Sequence, residues 1–264
     1  NYSYDGAGNL QNKYEQVLDP NYGYPTGTQH GNTYEYTDTS WKDKQTKVNG
    51  SNISYDANGN PLTYRDGMTF EWENGRILKK ISTSDKSVQM SYDSNGMRIQ
   101  KTVDGVKTNY YYDSNKNLIA LVKGNDTLLF YYDSDGSATS FSYNGTMYFY
   151  VKNLQGDVVR IIDLSGTEVA SYVYDAWGNI KDTKGEPTIR EINPIRYRGY
   201  VYDTETSLYY LQSRYYDPFA GRFVNADSVD MLLEDQANIL QSNLFCYVFN
   251  DCVNEIDPDG NGYF

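Results

Sequence analysis

The chain has 264 residues, and its 23 Lys+Arg against 35 Asp+Glu give a net charge of −12, which opposes binding to nucleic acid or to an anionic membrane surface. Hydrophobic residues make up only 39 % and mean hydropathy is −0.72. No apolar run approaches the roughly 18 residues of a bilayer span, and 29 Tyr with 22 Gly point to strands and turns rather than helices.

The chain opens on Asn1-Tyr2-Ser3-Tyr4-Asp5-Gly-Ala-Gly8, and this pattern recurs. Tyr-Asp pairs stand at 4/5, 55/56, 92/93, 112/113, 132/133, 174/175, 202/203 and 216/217. The interval is 20 residues from Tyr92 to Tyr112 and again to Tyr132, then 42 to Tyr174, which is two periods. Each unit has an alternating aromatic run, then Asp-x-x-Gly, then an apolar alternation, as in Val173-Tyr174-Asp175-Ala-Trp-Gly178-Asn179-Ile180. That is the grammar of a β-hairpin. The aspartate carboxylate caps backbone amides of a turn, and a glycine three residues later takes the left-handed conformation that closes it. Asp113-Ser-Asn-Lys116 lacks the glycine, which predicts a strained or different turn. About twenty residues make two strands of ordinary length. A row of such hairpins predicts a continuous, twisted antiparallel ribbon, and these aspartates read as structural rather than catalytic. Because the chain starts inside a repeat, it reads as a piece of something longer.

The pattern lapses between His30 and Lys47, where Trp41 is the only large apolar anchor; residues 30–47 read as an insertion loop or irregular strands. A second weak stretch, Lys181 to Ile192, carries Gly185-Glu-Pro187 and ends the repeats. The expected division is therefore a repeat region over 1–192 and a distinct segment over 193–264. No cofactor is expected. His30 is the single histidine and the only cysteines are Cys246 and Cys252, too few for a zinc site, so the thiols read as small buried groups unless geometry permits a disulfide.

The last segment runs Asn193-Pro-Ile-Arg-Tyr-Arg-Gly-Tyr200, Arg214-Tyr-Tyr-Asp217-Pro-Phe-Ala-Gly221-Arg222-Phe223-Val-Asn-Ala-Asp227, Asn243-Leu-Phe-Cys-Tyr247-Val-Phe-Asn250 and Val253-Asn-Glu-Ile-Asp257-Pro-Asp-Gly260. It resembles the Rhs-repeat-associated core of Rhs and YD-repeat proteins, with its order RYYDPxxGRFxxxD, then NLYxYxxNxPVNxxDPxG. With the repeats upstream, the resemblance accounts for nearly the whole chain. It implies an all-β fold in which YD hairpins spiral into a hollow, barrel-like antiparallel shell with an inward C-terminal plug, as in Rhs proteins, insecticidal toxin complex C components and teneurins. It also implies a secreted or cell-surface bacterial protein whose partners are the rest of the same shell upstream and its own C-terminal toxin as cargo. A basic cargo would suit the net charge. The resemblance further implies an aspartyl autoprotease that cuts just beyond DPxG, at Gly260 and Asn261, with Asp227 and Asp257 as the carboxylate pair and Arg222 orienting or stabilising either.

The match has departures. Ser228 stands where many relatives have proline, the 227-to-257 spacing is long, and Asn261 follows Gly260 where relatives have a leucine. Met231 to Gln241 reads as an insertion, and Asp230, Glu234 and Asp235 within it are substitute candidates for the second acid. Two other functions fit less of the sequence. A non-enzymatic adhesion or display module would use exposed tyrosines, and a glycan-processing enzyme would need a carboxylate pair outside the turn grammar.

Overall fold

A computed structural model describes residues 1–18, 25–227 and 243–261. Among these, nearly all regular structure is antiparallel β, in three sheets of five, twelve and four strands. The five-stranded sheet runs from Tyr2–Tyr4 to Ser51–Asn52, the twelve-stranded sheet from Thr69–Glu73 to Ile180–Gly185, and the four-stranded sheet from Val201–Asp203 to Arg222–Phe223. Every strand pairs with its neighbours in sequence, so each sheet is a meander. The large sheet remains open, with Thr69–Glu73 and Ile180–Gly185 at its two edges. The expected barrel-like shell is thus represented by large antiparallel sheets, with no closed barrel among the described residues. No helix among the described residues is long and apolar enough to cross a membrane.

The turns explain the period. In six of the eight Tyr-Asp pairs, at Asp5, Asp56, Asp93, Asp113, Asp133 and Asp175, the carboxylate accepts the amides two and four residues on, at 2.8–3.0 Å. Asn9, Asn60, Asn117 and Asn179, each four residues after its aspartate, also donate to the second carboxylate oxygen. Lys116 adopts the same turn as the glycines, at φ 65°, so the missing glycine produces strain and not a different turn. The tyrosine hydroxyls stitch neighbouring units: Tyr92, Tyr112, Tyr132 and Tyr174 donate to the carbonyls of Leu78, Arg98, Leu118 and Val158 at 2.8–3.0 Å.

In a meander, successive turns alternate between the two ends of the sheet, so the Asp93, Asp113, Asp133 and Asp175 turns share one end. At the opposite end lie two-residue turns such as Asp104-Gly105 and Asn144-Gly145, whose paired positive φ values match the right-handed twist of the strands.

One face of the wall is buried by Phe70, Leu78, Ile81, Val88, Leu128, Phe130, Phe141 and Ile161, against residues of the four-stranded sheet and its flanks such as Leu208, Tyr210 and Ile195. Segment 193–261 therefore packs against the repeat wall, and its strands Leu208–Leu211, Arg214–Asp217 and Arg222–Phe223 are buried throughout. Residues 30–35 belong to a strand (Pro25–Glu35), so only 36–46 form the irregular stretch. That stretch is held at the core: Trp41 packs on Phe245, 5.4 Å between ring centroids.

Candidate active site

The geometry around residue 260 is built by a hairpin and a loop. The strands Leu208–Leu211 and Arg214–Asp217 pair through a tight turn, and Arg214 is the first residue after it. The stretch after Arg222–Phe223 runs beside residues 243–246, with Phe223 N–H bonded to the Phe245 carbonyl at 3.0 Å and Asp227 N–H to the Leu244 carbonyl at 2.8 Å. This fixes Asp227 close to Arg214. Asp257 is held by its own amide, which donates to the Tyr200 hydroxyl at 3.2 Å.

Arg214 is fully spent on this site. Its Nη2 lies 2.8 Å from Asp227 Oδ2 and 3.3 Å from Asp257 Oδ2. Its Nη1 donates to the Leu244 carbonyl at 3.2 Å, its Nε donates to the Gly260 carbonyl oxygen, and its guanidinium stacks 3.5 Å over the Phe223 ring. The structure thus brings Asp227 and Asp257 together around a single nitrogen, so their facing oxygens are no farther apart than those two contacts laid end to end. Burial lowers the pKa of Arg214 from its usual value, while the two carboxylates oppose that shift. It remains the cation of the site.

Of the two residues expected to flank a cut, Gly260 is the more fully bonded. Its amide donates to Asp257 Oδ1 at 2.9 Å and its φ is 78°. Asn261 follows at the surface and lines a cavity of about 340 Å³ shared with Tyr215, Gln212 and Asn225.

Arg222 does not occupy the expected place. Its guanidinium donates to the Asp43 carbonyl at 2.6 Å and stacks against Tyr36 and Phe245, pinning the irregular 36–46 stretch to the core. The contact with both carboxylates is made by Arg214. That residue opens the RYYDP motif, so it was visible as a member of the motif, but nothing local showed that the strand would point it at Gly260. Asp230, Glu234, Asp235 and Ser228 lie outside the described residues. Cys246 and Cys252 are free thiols, pushed up by burial to about 11 and about 12. Among the described residues no group of three His, Cys, Asp or Glu could hold a metal.

Two Tyr-Asp pairs carry a role beyond the turn, although Asp217 still accepts the Phe219 amide, two residues on, at 2.9 Å. Asp203 forms a bidentate pair with Arg98 at 2.5 and 3.1 Å and accepts Lys101 Nζ at 2.8 Å, all three residues being buried. Asp217 forms a second bidentate pair, with Arg65, at 2.7 and 3.0 Å. Both join the C-terminal segment to the repeat wall.

Comparison with known proteins agrees with this architecture. The teneurin YD-shell family model matches residues 1–253. The tRNA3(Ser)-specific nuclease WapA of Bacillus spizizenii is 40 % identical over 223 residues, covering 82 % of this chain and 9 % of its own length. Human teneurin-4 is 26 % identical over 263 residues, covering 95 % of this chain and 9 % of its length. The solved TcdB2-TccC3-Cdc42 structure superposes with a TM-score of 0.65 at 18 % identity, covering 98 % of this chain and 15 % of that one; the Photorhabdus luminescens Tc holotoxin pore gives 0.64 with the same coverage. The chain spans about a tenth of the curated relatives it matches. With hairpin repeats, a buried C-terminal segment and a family match over nearly its full length, the chain belongs to the teneurin YD-shell family.

Proposed function

We propose that this chain is the closing part of a toxin shell, extracellular or surface-borne, and that its C-terminal segment hydrolyses the Gly260–Asn261 peptide bond to free a downstream cargo. The observation that carries the proposal is the Arg214 bridge: one guanidinium reaches the carbonyl of the bond to be cut and both candidate carboxylates. Two carboxylates and one guanidinium sum to a single negative charge, the same total as an aspartyl dyad sharing one proton. In the proposed step, Asp227 or Asp257 takes a proton from water as its oxygen attacks the Gly260 carbonyl carbon. Arg214 Nε stabilises the oxyanion. The proton then passes to the Asn261 nitrogen as the C–N bond breaks, leaving an Asn261 amine and a Gly260 carboxylic acid, which gives its remaining proton to solvent and becomes the carboxylate. Similarity to nucleases named WapA supports a nuclease as the cargo, and the acidic net charge of the chain is compatible with a basic one.

A reporter domain fused after Phe264 tests this. Mass spectrometry of the purified fusion is expected to find the Gly260 carboxylate as a new terminus, and Asp227→Asn or Asp257→Asn is expected to leave the fusion whole. A parent fusion that stays intact overturns the protease reading. A second reading, a surface-adhesion module, is favoured by the outward-facing Ile99, Tyr111, Ile119, Leu129 and Tyr131, each at least 40 % exposed. It predicts retention on an immobilised glycan or partner surface with no processing.

A further inference from the structure

We propose that the Leu211–Arg214 turn is a clamp that reads the chain segment entering the cut: it admits only glycine at 260, and Ser213 is a positioning residue for the bond. This rests on the hydrolytic reading above and extends it from the charged groups to the backbone they act on. Gln212 sits at φ 59°, and the Ser213 amide folds back to the Leu211 carbonyl at 2.6 Å. A non-glycine residue in the left-handed region is uncommon in such a tight turn, and strain of this kind persists where the surroundings hold it in place.

The turn aims two donors from one residue at one acceptor. Ser213 N–H lies 3.1 Å and Ser213 Oγ 2.8 Å from the Asp259 carbonyl oxygen. With the Gly260 amide held by Asp257 and the Gly260 carbonyl held by Arg214, three successive backbone polar groups, Asp259 C=O, Gly260 N–H and Gly260 C=O, each have a dedicated partner. That fixes the plane and direction of the bond that follows, which is the requirement for attack by a positioned water.

The same turn excludes any side chain at 260. A Cβ there would stand 2.7 Å from the Leu211 carbonyl oxygen, 2.6 Å from Ser213 Oγ and 3.1 Å from the Arg214 nitrogen. Two of those three atoms are backbone and cannot swing aside, and the φ of 78° adds a second, independent demand for glycine.

The test uses the reporter fusion with Ser213→Ala, Ser213→Thr and Gly260→Ala, following the rate at which newly made protein is cut. Loss of one hydrogen bond to the segment predicts a roughly ten-fold slower cut for Ser213→Ala. Ser213→Thr, which keeps the hydroxyl, is expected to restore the rate, and Gly260→Ala to abolish cutting, with thermal midpoints close to the parent for both Ser213 variants. Parent-like cutting by Ser213→Ala or Gly260→Ala overturns the clamp, as does failure of Ser213→Thr to recover the rate. A whole parent fusion would sink the hydrolytic reading alone. The clamp is then judged in the uncut Asp227→Asn fusion by amide hydrogen exchange. Faster exchange at Gly260 in Ser213→Ala, with the Asp93 and Asp133 turns unchanged, supports it, and unchanged exchange at Gly260 refutes it.

Discussion

A tyrosine hydroxyl and the aspartate carboxylate beside it perform separate tasks in each repeat unit. The carboxylate organises the turn of its own hairpin, and the hydroxyl reaches back to a carbonyl of the preceding one. Phenylalanine would pack equally well but leave that carbonyl without its donor. Tyr132→Phe is therefore expected to lower stability by about 1 kcal/mol, read from urea unfolding. Lys116 offers the opposite case. It holds a left-handed conformation that costs a side-chain-bearing residue about 1–2 kcal/mol, so Lys116→Gly is expected to raise the unfolding midpoint, less the greater freedom glycine has when unfolded. The capping role of six aspartates was legible because its signal is local. The buried ion pairs of Asp203 and Asp217 were not legible, because the same dipeptide in the C-terminal segment faces arginines that are more than a hundred residues away in sequence.

At the level of the hairpin, the two ends obey different turn chemistry from Tyr92 to Thr146, whereas the Asp163 turn repeats the Asp-x-x-Gly capping at the opposite end. The Asp-x-x-Gly end was readable from its spacing. The Asp104-Gly105 and Asn144-Gly145 dipeptides at the other end carry an equally strong hairpin signal, and reading them would have placed the strand boundaries on either side of each. Gly145 has φ 90° in such a two-residue turn, so Gly145→Ala is expected to cost about 1–2 kcal/mol and to speed amide exchange across strands Ala138–Tyr143 and Thr146–Lys152. The stretch from 30 to 47 shows a different limit. Its polar composition hid a strand through Glu35, because six of that strand's eight paired positions face Leu10–Leu18, a partner that the local sequence does not reveal. Arg214 was missed for a related reason: a motif names the residues of a strand but does not say which of two neighbouring arginines, 214 or 222, meets the carboxylates.

Across the whole molecule, buried ion pairs join the C-terminal segment to the wall. Removing one partner strands a charge out of water, so Asp203→Ala is expected to cost about 3–5 kcal/mol, whereas replacing Arg98 and Asp203 together with apolar residues is expected to cost less. Burial acts to raise the Asp203 pKa, but Arg98 and Lys101 outweigh it and hold the carboxyl below its usual value. A carboxyl depressed in the folded state adds stability above its unfolded pKa of about 3.9, and that contribution fades as the pH falls through the folded value. Unfolding measured from neutral pH downward is thus expected to show an acid-side decline that is shallower in Asp203→Asn.

The strictly sequential meander also has a kinetic meaning. Each strand needs only the one made just before it, so contacts in the wall are short in sequence and loop closure is inexpensive at every step. The chain can zip up hairpin by hairpin as it leaves a ribosome or a secretion pore, without waiting for its far end. The long-range ties, Arg65 with Asp217 and Arg98 with Asp203, form later, because each acidic partner follows its arginine by more than a hundred residues. The Gly260 site draws on residues 214, 227, 244 and 257, so it is completed only after the wall before it has emerged, and under the proposed hydrolysis the order of emergence would time the cut.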